Sequence, residues 1–269
     1  MIRPVTASDA DAIERFLVTV ADSSLILRSN LRTAGFSWNN QPYEGHYVAR
    51  FEGERVTGVA CHAWNGNVIL QAPGHAAELT ARVLELSERE LEGFIGPWDQ
   101  VEAARQAMGL PDEAFSLLAR EVLMSVAVRE LAAVPGVRPA VAGDLAQLVP
   151  WAVDFDREAL LEVSPDVGKV RAGLERGIAA GRWYVLEEAS ELKAMGAFTA
   201  RTPESVQLGG IYTPPAGRNR GAARRLVAGM LVHSGVERGV LFAKDPAAIR
   251  SYRAVGFREI GSYGLAFLK

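Results

Sequence analysis

The 269-residue chain has one cysteine, Cys61, which excludes an internal disulfide framework and a cysteine-based zinc site. No run approaches the roughly 18 consecutive apolar residues that a helix needs to cross a bilayer. The opening residues, Met1-Ile2-Arg3-Pro4-Val5-Thr6, lack the charged-then-apolar order of a secretory signal. No stretch gathers five or six like charges, so there is no basic arm for nucleic acid. Thirteen prolines and 26 glycines are too few for a low-complexity polymer. What remains is a globular chain, with 49% hydrophobic and 23% charged residues. Its length suits one large domain or two small ones. The expectation is a cytoplasmic protein, a monomer or homodimer, with no metal and no nucleic-acid or membrane partner.

Lysine is missing from the first 135 residues, where 11 arginines face 18 acidic side chains, a net charge of −7. Residues 136–269 carry 18 basic against 14 acidic side chains, a net charge of +4. An anionic ligand therefore belongs to the second half.

The halves also resemble each other. Ile2-Arg3-Pro4-Val5-Thr6-Ala7-Ser8-Asp9 returns as Val137-Arg138-Pro139-Ala140-Val141-Ala142-Gly143-Asp144 at an offset of 135. His46-Tyr47-Val48 matches Trp183-Tyr184-Val185, and Ala107-Met108-Gly109-Leu110 matches Ala254-Val255-Gly256-Phe257. Three matches in order imply two copies of one unit, 1–131 and 136–269. Each copy reads as a short strand (2–5; 137–141), one or two helices (8–34; 144–180) and two strands (46–51 with 55–62; 182–188 with 193–200). A strand (66–71; 204–213), a helix (75–91; 221–235), a strand (92–96; 238–243), a helix (99–108; 246–255) and two final strands complete it. The pattern predicts an α/β (α+β) fold, each copy a mixed, mostly antiparallel sheet with helices on both faces.

The most informative stretch runs from Gln207 to Val227. It is a strand, a turn at Thr213-Pro214-Pro215, a basic glycine-containing loop, then a helix with Leu226, Val227, Met230 and Leu231 on one face. A helix start offers unpaired N–H groups and about half a positive charge, which together suit a phosphate. Gly217 and Gly221 allow close backbone approach, and Arg218 and Arg220 add charge.

Arg218-x-x-Gly221-x-Ala223 resembles the acyl-CoA signature of the GNAT superfamily of N-acetyltransferases. Asp245-Pro246-Ala247-Ala248-Ile249-Arg250-Ser251-Tyr252-Arg253-Ala254-Val255-Gly256-Phe257 resembles that family's tyrosine-bearing helix, with Asp245 where Asn is usual. Val137-Arg138-Pro139…Asp144 resembles its first strand and helix. The resemblance spans 136–269, and the first half follows as a repeat. It implies two GNAT-like domains and transfer of acetyl from acetyl-CoA to an amine of a small-molecule acceptor, by direct attack in a ternary complex. Arg218, Asn219, Arg220, Gly221, Ala222 and Ala223 would cradle the pyrophosphate. Ile211, Tyr212 and Thr213 would pair with the pantetheine arm, and an N–H near Ile211 or Thr213 would polarise the thioester. Pro214-Pro215, unable to donate to a ladder, would end strand pairing and open the cleft. Asp245 would cap the helix, Ala248 would leave room beside the phenol, and Tyr252 would protonate the departing thiolate.

No base is assigned, because Gln207 stands where many members of the family place a glutamate. Candidates are Asp154, Asp156 and Glu158; His233 reads as a surface residue. The first half has lost the arginines, and Arg105 stands opposite Tyr252. It is expected to be a degenerate copy, packed against the second. His46, His62 and His75 are too scattered for a metal. Trp38, Trp64 and Trp98 serve packing, and Cys61 is a small buried residue. The alternative reading is a non-catalytic acyl-CoA-binding sensor or scaffold.

Overall fold

The repeated Arg-Pro…Asp segment opens both halves in one way. In the computed structural model, which describes all 269 residues, Arg3 grips Asp9 through bonds of 2.8 and 2.7 Å. Arg138 grips Asp144 at 2.8 and 3.0 Å. Each aspartate also accepts the N–H three residues before it, from Thr6 at 2.9 Å and from Val141 at 2.8 Å. The arginine beside each holds both carboxyls below the ordinary carboxylate range. A bidentate pair demands these two residue types. The repeated motif therefore starts a helix in each half.

The chain divides into two compact units, Met1–Leu123 with Ile260–Lys269, and Met124–Glu259. The last ten residues thus belong with the first unit, whereas the sequence reading kept all of 136–269 together. The first half contributes β1 (Ile2–Pro4), α1 (Ala10–Val18), α2 (Ala21–Ala34), β2 (Gly45–Glu52), β3 (Arg55–Ala63), β4 (Asn67–Gln71), α3 (Ala76–Ser87), β5 (Gly93–Pro97), α4 (Trp98–Ala107) and β6 (Phe115–Ala127). The second contributes β7 (Val137–Pro139), α5 (Leu145–Ala159), α6 (Val167–Ala179), β8 (Trp183–Glu188), β9 (Glu191–Arg201), β10 (Ser205–Tyr212), α7 (Ala222–Ser234), β11 (Arg238–Ala243), α8 (Pro246–Val255) and β12 (Arg258–Leu268). The order of elements is the same in both. Each half closes on one long strand, not the two anticipated. No helix is long and apolar enough to cross a membrane.

In the first unit the strands lie in the order β1-β2-β3-β4-β5-β12-β6. β4 and β5 are parallel, and β12 pairs antiparallel with β5 from Tyr263↔Pro97 to Phe267↔Gly93. Side chains alternate across this sheet, as strand geometry requires. Val48, Ala60, Val68 and Leu70 face one core with Leu79, Val83 and Val101 of α3 and α4. Tyr47, Ala49, Val59, Cys61 and Ile69 face another with Ile13, Leu17 and Leu27 of α1 and α2. Helices cover both faces, so these strands are apolar on both sides and read as continuous hydrophobic runs. Cys61 is fully buried, and burial pushes its thiol up to about 12.

In the second unit the order is β7-β8-β9-β10-β11, with β10 and β11 parallel and the other pairs antiparallel. Leu148, Val149 and Ala152 of α5 and Leu174 of α6 pack on Val185, Met195 and Tyr212. α7 packs against β8, β9 and β10, with Leu226 and Met230 buried.

Candidate active site

β10 and β11 run side by side only briefly. Their pairing extends from Ser205↔Arg238 to Gln207↔Val240 and stops there. Leu208–Tyr212 of β10 and Leu241–Ala243 of β11 continue beyond it without pairing to each other. The parting begins well before Pro214-Pro215, so the prolines are not its cause; it coincides with a register shift on the other side of β10. Against β9, the β10 register shifts after Gln207 and again between Gly209 and Tyr212, so that the ladder skips Gly210 and Ile211. Gly210 sits at φ +60°, in the left-handed region that glycine enters without a Cβ clash. A bulge bends its strand and raises its local twist.

The strand ends at Tyr212, and Thr213-Pro214 leads into one turn of 3₁₀ helix at Pro215–Gly217. Asn219 and Gly221 both take left-handed backbone, φ +61° and +76°. Gly221 is the N-cap of α7 and supplies no side chain to the helix's first N–H groups. The next helix differs, since Asp245 Oδ2 accepts the Ala248 N–H at 2.7 Å and Pro246 takes the first position of α8. The start of α7 is therefore open to an outside anion.

The four arginines of this loop divide their tasks. Arg218 Nη2 donates to Glu158 Oε2 of α5 at 2.6 Å, and its Nε donates to the Thr213 carbonyl at 2.9 Å. Its guanidinium stands 5.5 Å from the Tyr212 ring. Arg225 is tied to the Arg220 carbonyl at 3.0 Å and to Glu188 at 2.9 Å. The Arg220 and Arg224 side chains are exposed and make no ion pair. Tyr212 also lies 6.3 Å from Trp151 of α5, and burial raises its phenol above the ordinary range, with Glu158 and Asp154 adding to the shift. α7 packs on α8, which brings the loop beside the helix of Tyr252. Tyr252 is buried, its ring 5.9 Å from Phe257.

No protein-family model and no curated protein matches the sequence. Solved structures do. A Drosophila protein is similar at a TM-score of 0.67 and 14% identity, over 100% of this chain and 98% of that one. A GCN5-related N-acetyltransferase from Sphaerobacter thermophilus is similar at 0.58 and 15% identity, over 99% and 94%. An acetyltransferase of the GNAT family from Colwellia psychrerythraea is similar at 0.53 and 14%, over the whole of both chains. This is the GNAT fold.

Within the GNAT fold the first unit keeps the strands. The ladder of β4 and β5 is equally short, from Asn67↔Gly93 to Ile69↔Ile95, but just beyond it Gly96 lies so close that a Cβ there would meet the Leu70 carbonyl oxygen at 2.8 Å. The Gln100 side chain, buried in α4, accepts the Ala72 N–H at 2.6 Å. The repeat offset of 147 that relates Arg105 to Tyr252 places Ala247 opposite Gln100. Arg105 is bound to Glu102 at 2.7 Å and to Asp112 at 2.8 Å.

Each base candidate now has a place. Gln207 is buried, and its Nε2 donates to Thr199 Oγ1 at 2.9 Å. His233 is tied to the Val137 carbonyl at 2.9 Å. Asp154 pairs with Arg157 at 3.4 Å, and Glu158 is taken by Arg218. Asp156 meets no cation. Burial, with the Glu162 charge adding, pushes its carboxyl up to about 6. The first unit's histidines are occupied or flanked. His62 is fully buried between Ser87 Oγ at 2.6 Å and the Gly66 carbonyl at 3.1 Å, and His46 stacks on Trp38 at 4.6 Å.

Proposed function

We infer that the second unit moves an acyl group from acetyl-CoA to an amine of a small acceptor, and that the first unit binds no acyl-CoA. One observation carries this reading: β10 parts from β11 beyond Gln207 and Val240, beside a helix start without a side-chain cap. An extended amide chain such as pantetheine fits a parted pair of strands by pairing with a free edge. Thr213 Oγ1 is buried beside that edge without a hydrogen-bond partner, an orphan that a ligand amide would satisfy.

Arg220, Arg224 and the first N–H groups of α7 hold the pyrophosphate. The Ile211 N–H, at the bulge, holds the thioester carbonyl oxygen as negative charge grows on it. Asp156 takes the proton of the attacking amine; a carboxyl near 6 suits that task at neutral pH. The carbon–nitrogen bond forms, the carbon–sulfur bond breaks, and Tyr252 gives its proton to the departing sulfur. No covalent enzyme intermediate is used, since the sole cysteine is buried in the first unit. Calorimetric titration with CoA should give one site per chain, and acetyl-CoA should release free thiol against at least one member of a panel of primary amines. No CoA site, or two per chain, overturns the reading. One site with no turnover against any amine leaves a sensor in its place.

A further inference from the structure

Trp183 opens β8, and acyl transfer as described makes no use of it. Its ring is wedged between two glycines of different elements. A Cβ placed on Gly177 of α6 would lie 2.5 Å from the indole Nε1, and one placed on Gly210 would lie 2.9 Å from Cη2. Neither distance is open to a real Cβ, so the ring touches α6 backbone with one edge and the bulge with the other. Strand pairing explains the reach. Trp183 lies opposite Ala197, and Ala197 lies opposite Gly209, so the three form one row across β8, β9 and β10. The indole spans that row and ends on the next residue, Gly210.

A bulge of this kind is soft by itself. The ladder gives Gly210 and Ile211 no partner in β9, and glycine has the widest torsional freedom of any residue. An N–H that stabilises growing charge must be held in place beforehand, because its value lies in needing no reorganisation during reaction. Trp183 is suited to hold it: a large rigid body with two side-chain torsions, backed by a helix. We propose that Trp183 is a positioning residue that locks the Gly210–Ile211 peptide, so that the Ile211 N–H meets the thioester carbonyl, with α6 as its backstop through Gly177. This rests on the acyl-transfer reading. Trp183 touches no reacting atom and acts through the bulge alone.

The test is the carbonyl stretch of bound acetyl-CoA labelled with ¹³C at the thioester carbon, read by isotope-edited infrared difference spectroscopy. In the unaltered chain the band should move to lower frequency on binding. In Trp183→Ala the CoA affinity should stay within a few-fold, the downshift should be lost, and kcat should fall by roughly 10-fold to 10²-fold, at or below the loss from removing an oxyanion donor outright. Gly177→Ala is the second variant, in which alanine's helix preference offsets part of the overpacking. Its new Cβ drives the indole toward the bulge and should disturb the same band. A folded Trp183→Ala or Gly177→Ala chain that keeps both the downshift and kcat overturns the proposal. A bound carbonyl without any downshift in the unaltered chain also overturns it, while leaving acyl transfer standing. Failure of acetyl-CoA to bind the unaltered chain removes the acyl-transfer reading itself.

Discussion

Arg218 and Glu158 meet across sixty residues of sequence, guanidinium to carboxylate at 2.6 Å, and so tie the loop before α7 to the last turn of α5. The side chains are 41% and 48% exposed. An exposed pair contributes only about 0–1 kcal/mol, so this one is easily exchanged for another anion. A phosphate arriving at the loop would compete with Glu158 for the same guanidinium.

Glu158→Gln should therefore leave the melting temperature almost unchanged and tighten CoA binding by up to about fivefold, the ratio that 1 kcal/mol represents. Calorimetric Kd values for CoA decide it. Weaker binding in the variant would mean that Glu158 shapes the loop and does not compete within it.

The proposed base, Asp156, sets a pH dependence. In that role it must be ionised, so kcat/KM should rise with pH through about 6 and then level off. Asp156→Asn should abolish that limb and lower turnover by roughly 10²-fold or more. Stability should run the other way. The folded-state pKa is raised above the ordinary 3.8, so the contribution is full below 3.8 and is lost as pH rises through about 6. Asp156→Asn should thus melt higher than the unaltered chain at pH 8, with the difference vanishing at pH 4. An equal offset at both pH values would remove the assignment.

Tyr252→Phe removes the proposed acid while keeping the ring packed near Phe257. CoA affinity should hold within a few-fold, and turnover should drop by roughly 10²-fold. Unchanged single-turnover rates would leave Tyr252 as a packing residue.

Gly221→Asp should weaken CoA binding by about tenfold or more, the equivalent of one lost charge-assisted contact. The position is left-handed at φ +76°, and a Cβ there would lie 3.4 Å from Arg225 Nη1 and 3.6 Å from Arg224 Nη2. The new carboxylate would take up cations meant for phosphate. Normal CoA affinity in a folded variant would refute the loop's role.

Local features carried most of what could be read in advance. The Arg-Pro…Asp repeat is visible because an ion pair six residues apart needs those residue types in that spacing. Asp245-Pro246 marks a helix start because the cap is made within three residues. The features that escaped depend on distant partners. Two adjacent glycines, Gly209-Gly210, do signal a bulge inside a strand, yet the row that ties them to Trp183 exists only once three strands are paired. The tie between Arg218 and Glu158 could not be read, because its partners stand sixty residues apart. Among Asp154, Asp156 and Glu158 the raised carboxyl of Asp156 could not be read, since it comes from burial.

β12 is synthesised after the whole of the second unit, and the first unit needs it. β5 finds an antiparallel partner in residues 263–267, so the amino-terminal unit cannot finish its sheet when its own stretch of chain is complete. Domain-by-domain folding during synthesis, amino-terminal unit first, is closed to this protein. Until β12 emerges, β5 is an open edge of the kind that invites pairing with other chains. Cutting the gene between the halves would leave 136–269 with a strand whose partner had been discarded. A lesion in the final ten residues would be felt first by the unit that lacks the proposed site.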